Sequence, residues 1–163
     1  MHPEALEIVE RLSLAPHPEG GFYRETWRST LAVATPRGER AALTLVHYLL
    51  PAGSFSAFHR IPGDEVWQHA AGDDLELLTI APSGHRRRGR LGPAARGDAE
   101  PHRVVPAGAW QAARVLGDRY ALVSCAVAPG FDFRDLEFLG ADALAGLWPE
   151  ALDLAAGRPG GRP

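Results

Sequence analysis

One stretch near the middle of the chain, Gly53 to Gly72, constrains the fold more than any other: GSFSAFHRIPGDEVWQHAAG. Pro62, Gly63 and Asp64 form a strong turn signal, because Pro fixes φ and Gly is free to adopt positive φ. The flanking segments have β-type sequences, and side chains alternate between two faces along a strand. We therefore predict a β-hairpin that directs polar side chains into one ligand-binding cavity. The predicted inward-facing residues are His59, Glu65, Trp67 and His69.

Length and composition favour one globular domain without nucleic-acid or membrane partners. The 163 residues are 45% hydrophobic and 23% charged, and the net charge of −3 favours neither nucleic acid nor an acidic membrane. All seventeen basic residues are arginine, which excludes Schiff-base lysine chemistry and a P-loop lysine. The single cysteine, Cys125, excludes an intrachain disulfide and fits a reducing compartment. With no apolar run of membrane length and no signal-peptide pattern, we expect a cytoplasmic protein.

The N-terminal third predicts a helix followed by strands. Residues 3–13, PEALEIVERLS, have the apolar spacing of a short amphipathic helix. Residues 21–29, GFYRETWRS, predict a strand, residues 30–40 a loop or hairpin, and residues 42–50, ALTLVHYLL, a buried strand. His47 and Tyr48 point to opposite faces of that strand, so only one of them faces the cavity. The residues expected on inward or packing faces are Leu6, Val9 and Leu12 of the helix and Tyr23, Glu25 and Trp27 of the first strand.

The second half of the chain predicts further strands and then a helical extension. Residues 83–101, with the run HRRRGR, predict a solvated loop or hairpin tip, since no aromatic residues alternate with the arginines to stack on nucleic acid. Residues 120–129 predict an apolar strand in which Cys125 is a buried thiol. We expect one domain over residues 1–140, followed by an extension over residues 141–163. The extension is predicted to be helical, with a break at Pro149, and then disordered at its end.

A second turn signal, Pro106-Ala107-Gly108, divides the stretch HRVVPAGAWQ at residues 102–111. The turn ends one strand and begins another, and we expect Gln111 in the second strand to face the same cavity as His59 and Glu65.

Four segments together resemble the DUF985, or cupin 5, family of the cupin superfamily. The resemblance implies a cupin double-stranded β-helix, an all-β jelly-roll barrel with a short N-terminal helix, and a homodimer. It implies no particular activity. The segments are HPEGGFYRET at 17–26, FSAFHRIPGDEVWQHAAGD at 55–73, VPAGAWQA at 105–112 and SCAVAPGFDF at 124–133.

Two departures from the general cupin pattern bear on metal binding. Metal-dependent cupins usually present two histidines and a glutamate from their first motif and a histidine from their second. Here Ile61 takes the place of the second histidine and Gln111 that of the last. The donors that the resemblance leaves are His59, Glu65 and Gln111, fewer imidazoles than iron or zinc sites favour. We therefore expect no cofactor, or a weakly held divalent metal.

The chain is also similar to the metal-independent sugar-nucleotide 3,5-epimerases, which share the jelly roll. This likeness implies that His59 is the proton-abstracting base, Glu65 its orienting group, and Tyr23 or Tyr48 the acid. Arg60 or Arg24 would hold a phosphate. The further residues expected to bind the ligand are Glu25, Trp67, His69 and Gln111.

Three functions follow from these patterns. The first is a metal-independent epimerase or isomerase acting on a sugar-like or other carbonyl compound. The second is a metal-dependent cupin enzyme using His59, Glu65 and Gln111. The third is a non-catalytic protein that binds a small polar ligand.

Overall fold

Strands are the main regular structure of the protein, whose computed structural model describes residues 1–156. The N-terminal helix α1 and thirteen strands precede a second helix, α2, in this part of the chain. The bounds are α1 Pro3–Arg11, β1 Ala15–Pro16, β2 Phe22–Arg28, β3 Ala32–Thr35, β4 Gly38–Ala41, β5 Thr44–Pro51, β6 Phe55–Arg60, β7 Asp64–Gly72, β8 Leu75–Ile80, β9 Arg86–Leu91, β10 His102–Val105, β11 Trp110–Val115, β12 Tyr120–Ala128, β13 Glu137–Phe138 and α2 Ala141–Leu147.

The strands form two main sheets and one small hairpin. One sheet has the order β1-β2-β5-β12-β7-β10, and the other has the order β13-β6-β11-β8-β9. β3 and β4 pair only with each other among the described strands. This two-sheet architecture with a short N-terminal helix confirms the predicted all-β fold class.

The turn at Pro62, Gly63 and Asp64 connects the two sheets instead of closing a hairpin. β6 pairs with β11 and β13, whereas β7 pairs with β12 and β10. The prediction of a β6–β7 hairpin is therefore wrong. Gly63 lies where the chain crosses, and a Cβ there would come within 2.8 Å of the Pro129 carbonyl oxygen. Because the chain changes sheets at this turn, His59 and Glu65 approach each other from opposite sheets.

Two helical segments cover the sheets. α1 packs through Ala5 and Ile8 against Leu49 and Leu122 of the first sheet. Leu6, expected on the packing face, is 45% exposed because the buried stripe runs through its neighbours instead. Val9 and Leu12 contact the same cluster from its edge.

The C-terminal segment packs on the second sheet. α2 ends before Pro149, and a 3-10 helix follows over Pro149–Leu154, which confirms the predicted break. Leu144 and Trp148 bury their side chains against Phe58 of β6. The end predicted to be disordered, residues 157–163, lies outside the described residues.

The arginine-rich segment forms strand β9 at the edge of the second sheet, where a solvated loop or hairpin tip was expected. Its arginines are mostly exposed and pair with acidic side chains, as in the 2.6 Å contact of Arg90 with Asp74 and the 3.4 Å contact of Arg88 with Glu76. Charged side chains are typical of an edge strand because they discourage pairing with another chain. No helix within residues 1–156 is long and apolar enough to cross a membrane.

Candidate functional site

A cavity of about 350 Å³ opens between the two sheets. Its walls come from β2, β5, β7 and β12 of the first sheet and from β6 of the second. The predicted site residues that line it are Tyr23, Glu25, Tyr48, His59 and Glu65. Further lining residues that the sequence analysis did not propose include His17, Glu19, Arg28, Phe131 and Phe133.

His59 is held in the cavity by two acceptors on the same ring nitrogen. Its Nδ1 lies 2.8 Å from the Ala57 carbonyl oxygen and 3.0 Å from Glu19 Oε2. Since both partners only accept hydrogen bonds, Nδ1 carries a proton, and Nε2 is the nitrogen left to act on a ligand. Burial alone would lower the pKa of His59, but the Glu19 carboxylate, and to a smaller extent Glu65, raise it to about 9. His59 is therefore an imidazolium at neutral pH.

Glu19 reaches His59 from a tight turn between β1 and β2. The His17 amide donates to the Gly21 carbonyl, and Gly21 adopts a φ of 65° where a Cβ would lie 2.6 Å from the Leu49 carbonyl oxygen. The Glu19 carbonyl also accepts from the Ala57 amide at 2.8 Å, which ties the turn to β6. Burial would raise the pKa of Glu19, but the charge of His59, its hydrogen bond and the smaller effects of His17 and Ser56 together hold that pKa below its ordinary value.

His17 is the second imidazole of this cluster, and its surroundings keep it neutral. Its Nδ1 accepts a hydrogen bond from the Glu19 amide at 3.3 Å. Burial lowers the pKa of His17 and outweighs the opposing effect of the Glu19 carboxylate, and the charge of His59 acts in the same direction as burial. The ring also packs edge-on against Tyr23, with ring centroids 4.6 Å apart. His17 is therefore a neutral wall group beside the His59–Glu19 pair.

Glu65 lies in a different environment on the facing sheet. Its Oε2 accepts from Gln111 Nε2 at 2.6 Å, and Gln111 Oε1 accepts from Trp67 Nε1 at 2.9 Å. The indole can only donate, so it fixes the amide of Gln111 with its NH₂ group toward Glu65. Burial raises the pKa of Glu65 to about 7, although the charge of His59 opposes the rise. This carboxyl group therefore exchanges its proton near neutral pH.

Trp67, Gln111 and His69 do not line the cavity, contrary to expectation. Trp67 and Gln111 are both 0% exposed and stand behind Glu65 as its hydrogen-bonded support. His69 follows Glu65 by four residues, roughly 13 Å along the strand at about 3.3 Å per residue. Its Nε2 lies 3.1 Å from the Asp73 carbonyl oxygen, toward the far end of β7.

The two arginines proposed as phosphate ligands also lie outside the cavity. Arg24 is exposed because it alternates with Tyr23 and Glu25 along β2. Arg60 alternates with His59 in the same way, and its guanidinium binds Glu137 at 2.6 Å and covers the ring of Trp110.

Arg28 enters the cavity where Trp27 was expected on the inward face. The pairing of β2 with β5 shifts register between Glu25 and Trp27, so one extra residue reverses the alternation of faces. Trp27 is consequently 60% exposed, and Arg28 forms a 2.7 Å ion pair with Glu25 at the cavity wall.

Tyr48 and Cys125 line the cavity with their polar atoms held in neutral form. The Tyr48 hydroxyl donates to the Gly20 carbonyl oxygen at 2.8 Å, and burial raises its pKa well above the ordinary value. Burial and then the charge of Glu65 raise the pKa of Cys125 well above its ordinary value too. Neither group is suited to give up a proton at neutral pH.

The donor set expected for a metal, His59, Glu65 and Gln111, does not fit one. The Glu19 carboxylate favours the charged form of His59, which has no free lone pair for a metal, and the oxygen of Gln111 is engaged by Trp67. Gln111 presents its NH₂ group, a donor, to Glu65 Oε2. Among residues 1–156, no group of three or more His, Cys, Asp or Glu side chains has an arrangement suited to a metal ion.

Only a weak sequence signal marks the cavity residues that were not predicted. Glu19 follows the strand β1 and precedes Gly20-Gly21, a pair typical of a sharp reversal, and His17 lies in the same segment. Phe131 and Phe133 come from the irregular segment after β12 and close one side of the cavity.

Comparisons with known proteins cover nearly the whole chain. A family model described as the cupin superfamily (DUF985) matches residues 6–139. A hypothetical protein from Leishmania major is 35% identical, with a TM-score of 0.84 over 95% of this chain and 99% of that one. A crystal structure from Shewanella oneidensis is 31% identical, with a TM-score of 0.83 over 95% and 98%. An uncharacterised Saccharomyces cerevisiae protein is 30% identical over 162 residues, which cover 87% of this chain and 79% of that protein.

Proposed function

Because this chain belongs to the DUF985 family of the cupin superfamily, as its motifs predicted, and the relatives described above have no established activity, we propose a function from the cavity itself. The protein is a metal-independent isomerase or epimerase. It moves a proton on the carbon next to the carbonyl group of a small, sugar-like compound.

The observation that supports this proposal is the pair of opposed titrating groups in one cavity. The pKa of His59 is raised to about 9 and that of Glu65 to about 7. Between these values His59 is charged while Glu65 is ionised, so an acid and a base face the same space. Groups with pKa values near the working pH are the most effective in acid-base catalysis.

The chemistry assigns the two groups different roles from those expected. The epimerase likeness made His59 the base, but its Glu19 partner keeps it protonated. Ionised Glu65 instead takes the proton from the carbon, and the C–H electrons form a C=C bond. His59 Nε2–H donates to the carbonyl oxygen and stabilises the enolate that forms. Return of the proton to the opposite face of that carbon gives the epimer. In a hydroxyketone, its delivery to the former carbonyl carbon gives the isomer, while the hydroxyl on the first carbon becomes the new carbonyl and its proton returns to His59.

The walls of the cavity fit a small polar ligand. About 350 Å³ lies within the range of small-molecule sites. The Glu25–Arg28 ion pair offers hydrogen-bonding groups for hydroxyls, whereas Tyr23, Phe131 and Phe133 offer aromatic surface. Tyr23, expected as the acid, serves in this proposal as a wall residue, because His59 supplies the proton.

Solvent deuterium exchange tests the reaction directly. The protein is incubated in deuterated buffer with a panel of keto sugars and hydroxyketones, and deuterium in each compound is measured by NMR or mass spectrometry. We expect exchange that is greatest between about pH 7 and pH 9 and that is lost in Glu65→Gln and strongly reduced in His59→Gln. The matched control is His69→Gln, which changes an imidazole outside the cavity and should leave exchange unaltered. Exchange that survives Glu65→Gln would contradict the proposal.

Three further measurements distinguish this reaction from the two alternative functions, a metal-dependent enzyme and a non-catalytic binding protein. A metal-dependent enzyme would contain stoichiometric iron, nickel or zinc in elemental analysis and would lose activity with a chelator. A non-catalytic protein would bind a compound of the panel, as seen by ligand-observed NMR, without exchanging its protons.

A further inference from the structure

A second cavity, of about 330 Å³, lies beside the first under the β3–β4 hairpin. We call it the hairpin cavity. Four residues border both cavities: Ile61, Val127, Phe131 and Asp132. The two spaces are therefore neighbours that share a wall.

The shared wall stands next to the reactive pair. Val127 is the register partner of Glu65 in the pairing of β12 with β7. Ile61 follows His59 by two residues, at the point where the chain leaves β6. A ligand whose carbonyl group reaches His59 and Glu65 therefore lies close to Ile61 and Val127, which also border the hairpin cavity.

The charged groups of the hairpin cavity are already paired. Arg40 forms a bidentate contact with Asp135, with distances of 2.8 and 3.0 Å. Arg37 binds Glu137 at 3.1 Å, and Asp132 binds Arg134 at 2.6 Å. A charged ligand group would have to compete with these ion pairs. The remaining wall is largely apolar and includes Ala34, Pro36, Pro62 and Pro129.

The hairpin is fixed above this space by contacts at its base and along β4. The Ala42 amide donates to the Leu31 carbonyl and the Gly130 amide donates to the Ala41 carbonyl, each at 2.7 Å. The buried Arg40–Asp135 pair ties the middle of β4 to the segment after β12. The cavity is therefore formed before a ligand binds.

We infer that the hairpin cavity is a specificity subsite for an uncharged alkyl or aryl substituent on the same ligand whose carbonyl group lies between His59 and Glu65. The inference rests on the proposed function for the identity of the carbonyl end. It extends the substrate class from small hydroxyketones to hydroxyketones that carry an apolar arm.

A variant that fills the subsite tests this inference, and the same strand provides its control. Ala34 and Ala32 are both exposed residues of β3, two positions apart and thus on one face, but only Ala34 borders the hairpin cavity. The variants are Ala34→Trp and Ala32→Trp, with Ala34→Leu as a smaller filling change should the tryptophan variant fold poorly. The two probes are hydroxyacetone and a hydroxymethyl ketone bearing a phenylalkyl group.

We expect the wild-type protein to exchange the phenylalkyl ketone with a kcat/KM on the order of tenfold or more above that for hydroxyacetone, as burial of several apolar carbons predicts. Ala34→Trp should remove most of this preference, Ala34→Leu part of it, and Ala32→Trp none. Equal preference in the Ala34→Trp and Ala32→Trp proteins, or no preference in the wild type, would overturn the inference.

A binding measurement tests the subsite independently of the proposed reaction. Dissociation constants of a fluorophenyl-bearing ketone are measured by ¹⁹F NMR in Glu65→Gln, with and without Ala34→Trp. We expect Ala34→Trp to weaken binding about tenfold in this background. If no ketone exchanges but the fluorophenyl probe shows this loss, the subsite stands and the proposed reaction fails. If exchange occurs but the loss is absent, the reaction stands and the subsite fails.

Discussion

Replacement of Glu19 by Gln removes the charge that faces His59 and keeps a side chain of nearly the same size. Glu19 Oε2 lies 3.0 Å from His59 Nδ1, and both side chains are buried. Burial disfavours the imidazolium, whereas the Glu19 carboxylate stabilises it. The variant therefore exposes the effect of burial on His59 with much less compensation.

The size of the expected change follows from the difference between the ordinary pKa of histidine and the raised pKa of His59. The pKa of His59 is raised from 6.5 to about 9. At about 1.4 kcal/mol for each pKa unit, the rise corresponds to roughly 3 kcal/mol in favour of the charged ring. We expect Glu19→Gln to return the pKa of His59 to its ordinary value or below. At pH 7.5 the ring would change from about thirty charged molecules for each neutral one to mostly neutral.

Two-dimensional NMR of the ¹⁵N-labelled imidazole rings, recorded as a pH titration, measures this change. The His59 signals are assigned by their absence from the spectrum of His59→Gln. The matched control is Glu25→Gln, which removes another carboxylate of the same cavity that pairs with Arg28. A wild-type His59 that titrates near 6.5, or a Glu25→Gln change as large as that of Glu19→Gln, would refute the reasoning.

Three further predictions concern Glu65, its support and the assembly. Because the pKa of Glu65 is raised, the folded protein holds a proton that the unfolded chain releases, and stability falls as pH rises from about 4.5 to about 7. In urea denaturation, the free energy of unfolding of Glu65→Gln should therefore gain roughly 3 kcal/mol relative to that of the wild type between pH 4 and pH 8. A difference that stays constant with pH would contradict this prediction. Gln111→Leu should cost about 1–3 kcal/mol of stability and raise the pKa of Glu65 further, because Trp67 and Glu65 both lose a hydrogen-bond partner. The control is Trp67→Phe, which keeps the Gln111–Glu65 hydrogen bond and should leave the pKa of Glu65 nearly unchanged. The homodimer implied by the family remains a prediction, and sedimentation should give twice the 17.5 kDa chain mass, whereas a monomer at micromolar concentration would contradict it.

The sequence was most informative where structure depends on neighbouring residues. Alternation along β6 and β7 correctly directed His59 and Glu65 inward, because the face of a side chain follows from its position in one strand. The turn at residues 62–64 was also correct as a turn. Its role was not, since a short connection has the same residue types whether it joins two paired strands or crosses between sheets. Only long-range pairing with β11 and β12 decides that question.

The rest of the site depended on contacts that no local pattern records. Glu19 lies forty residues before His59 in an irregular turn, where neither strand nor helix periodicity applies. The register shift after Glu25 reversed the faces of Trp27 and Arg28, and an extra residue in one strand has no fixed sequence signature. Gln111 was placed on the correct side of its strand, but alternation gives direction and not depth, so its supporting role behind Glu65 was not foreseen.

The two buried carboxylates of the cavity differ because of what stands behind each one. Glu19 contacts the imidazolium of His59 directly, and the charge and hydrogen bond of His59, with smaller effects of His17 and Ser56, hold its pKa below the ordinary value despite burial. Glu65 accepts a hydrogen bond from the neutral amide of Gln111, which stabilises the ionised form less than a cation does, so burial prevails and its pKa rises to about 7. Because the imidazolium of His59 contacts Glu19 directly and acts on Glu65 more weakly, Glu19 forms an ion pair while Glu65 titrates as a base. It follows that removing His59 changes both carboxylates at once, so the effect of His59→Gln on exchange cannot be assigned to His59 alone unless the pKa of Glu65 is measured in the same variant.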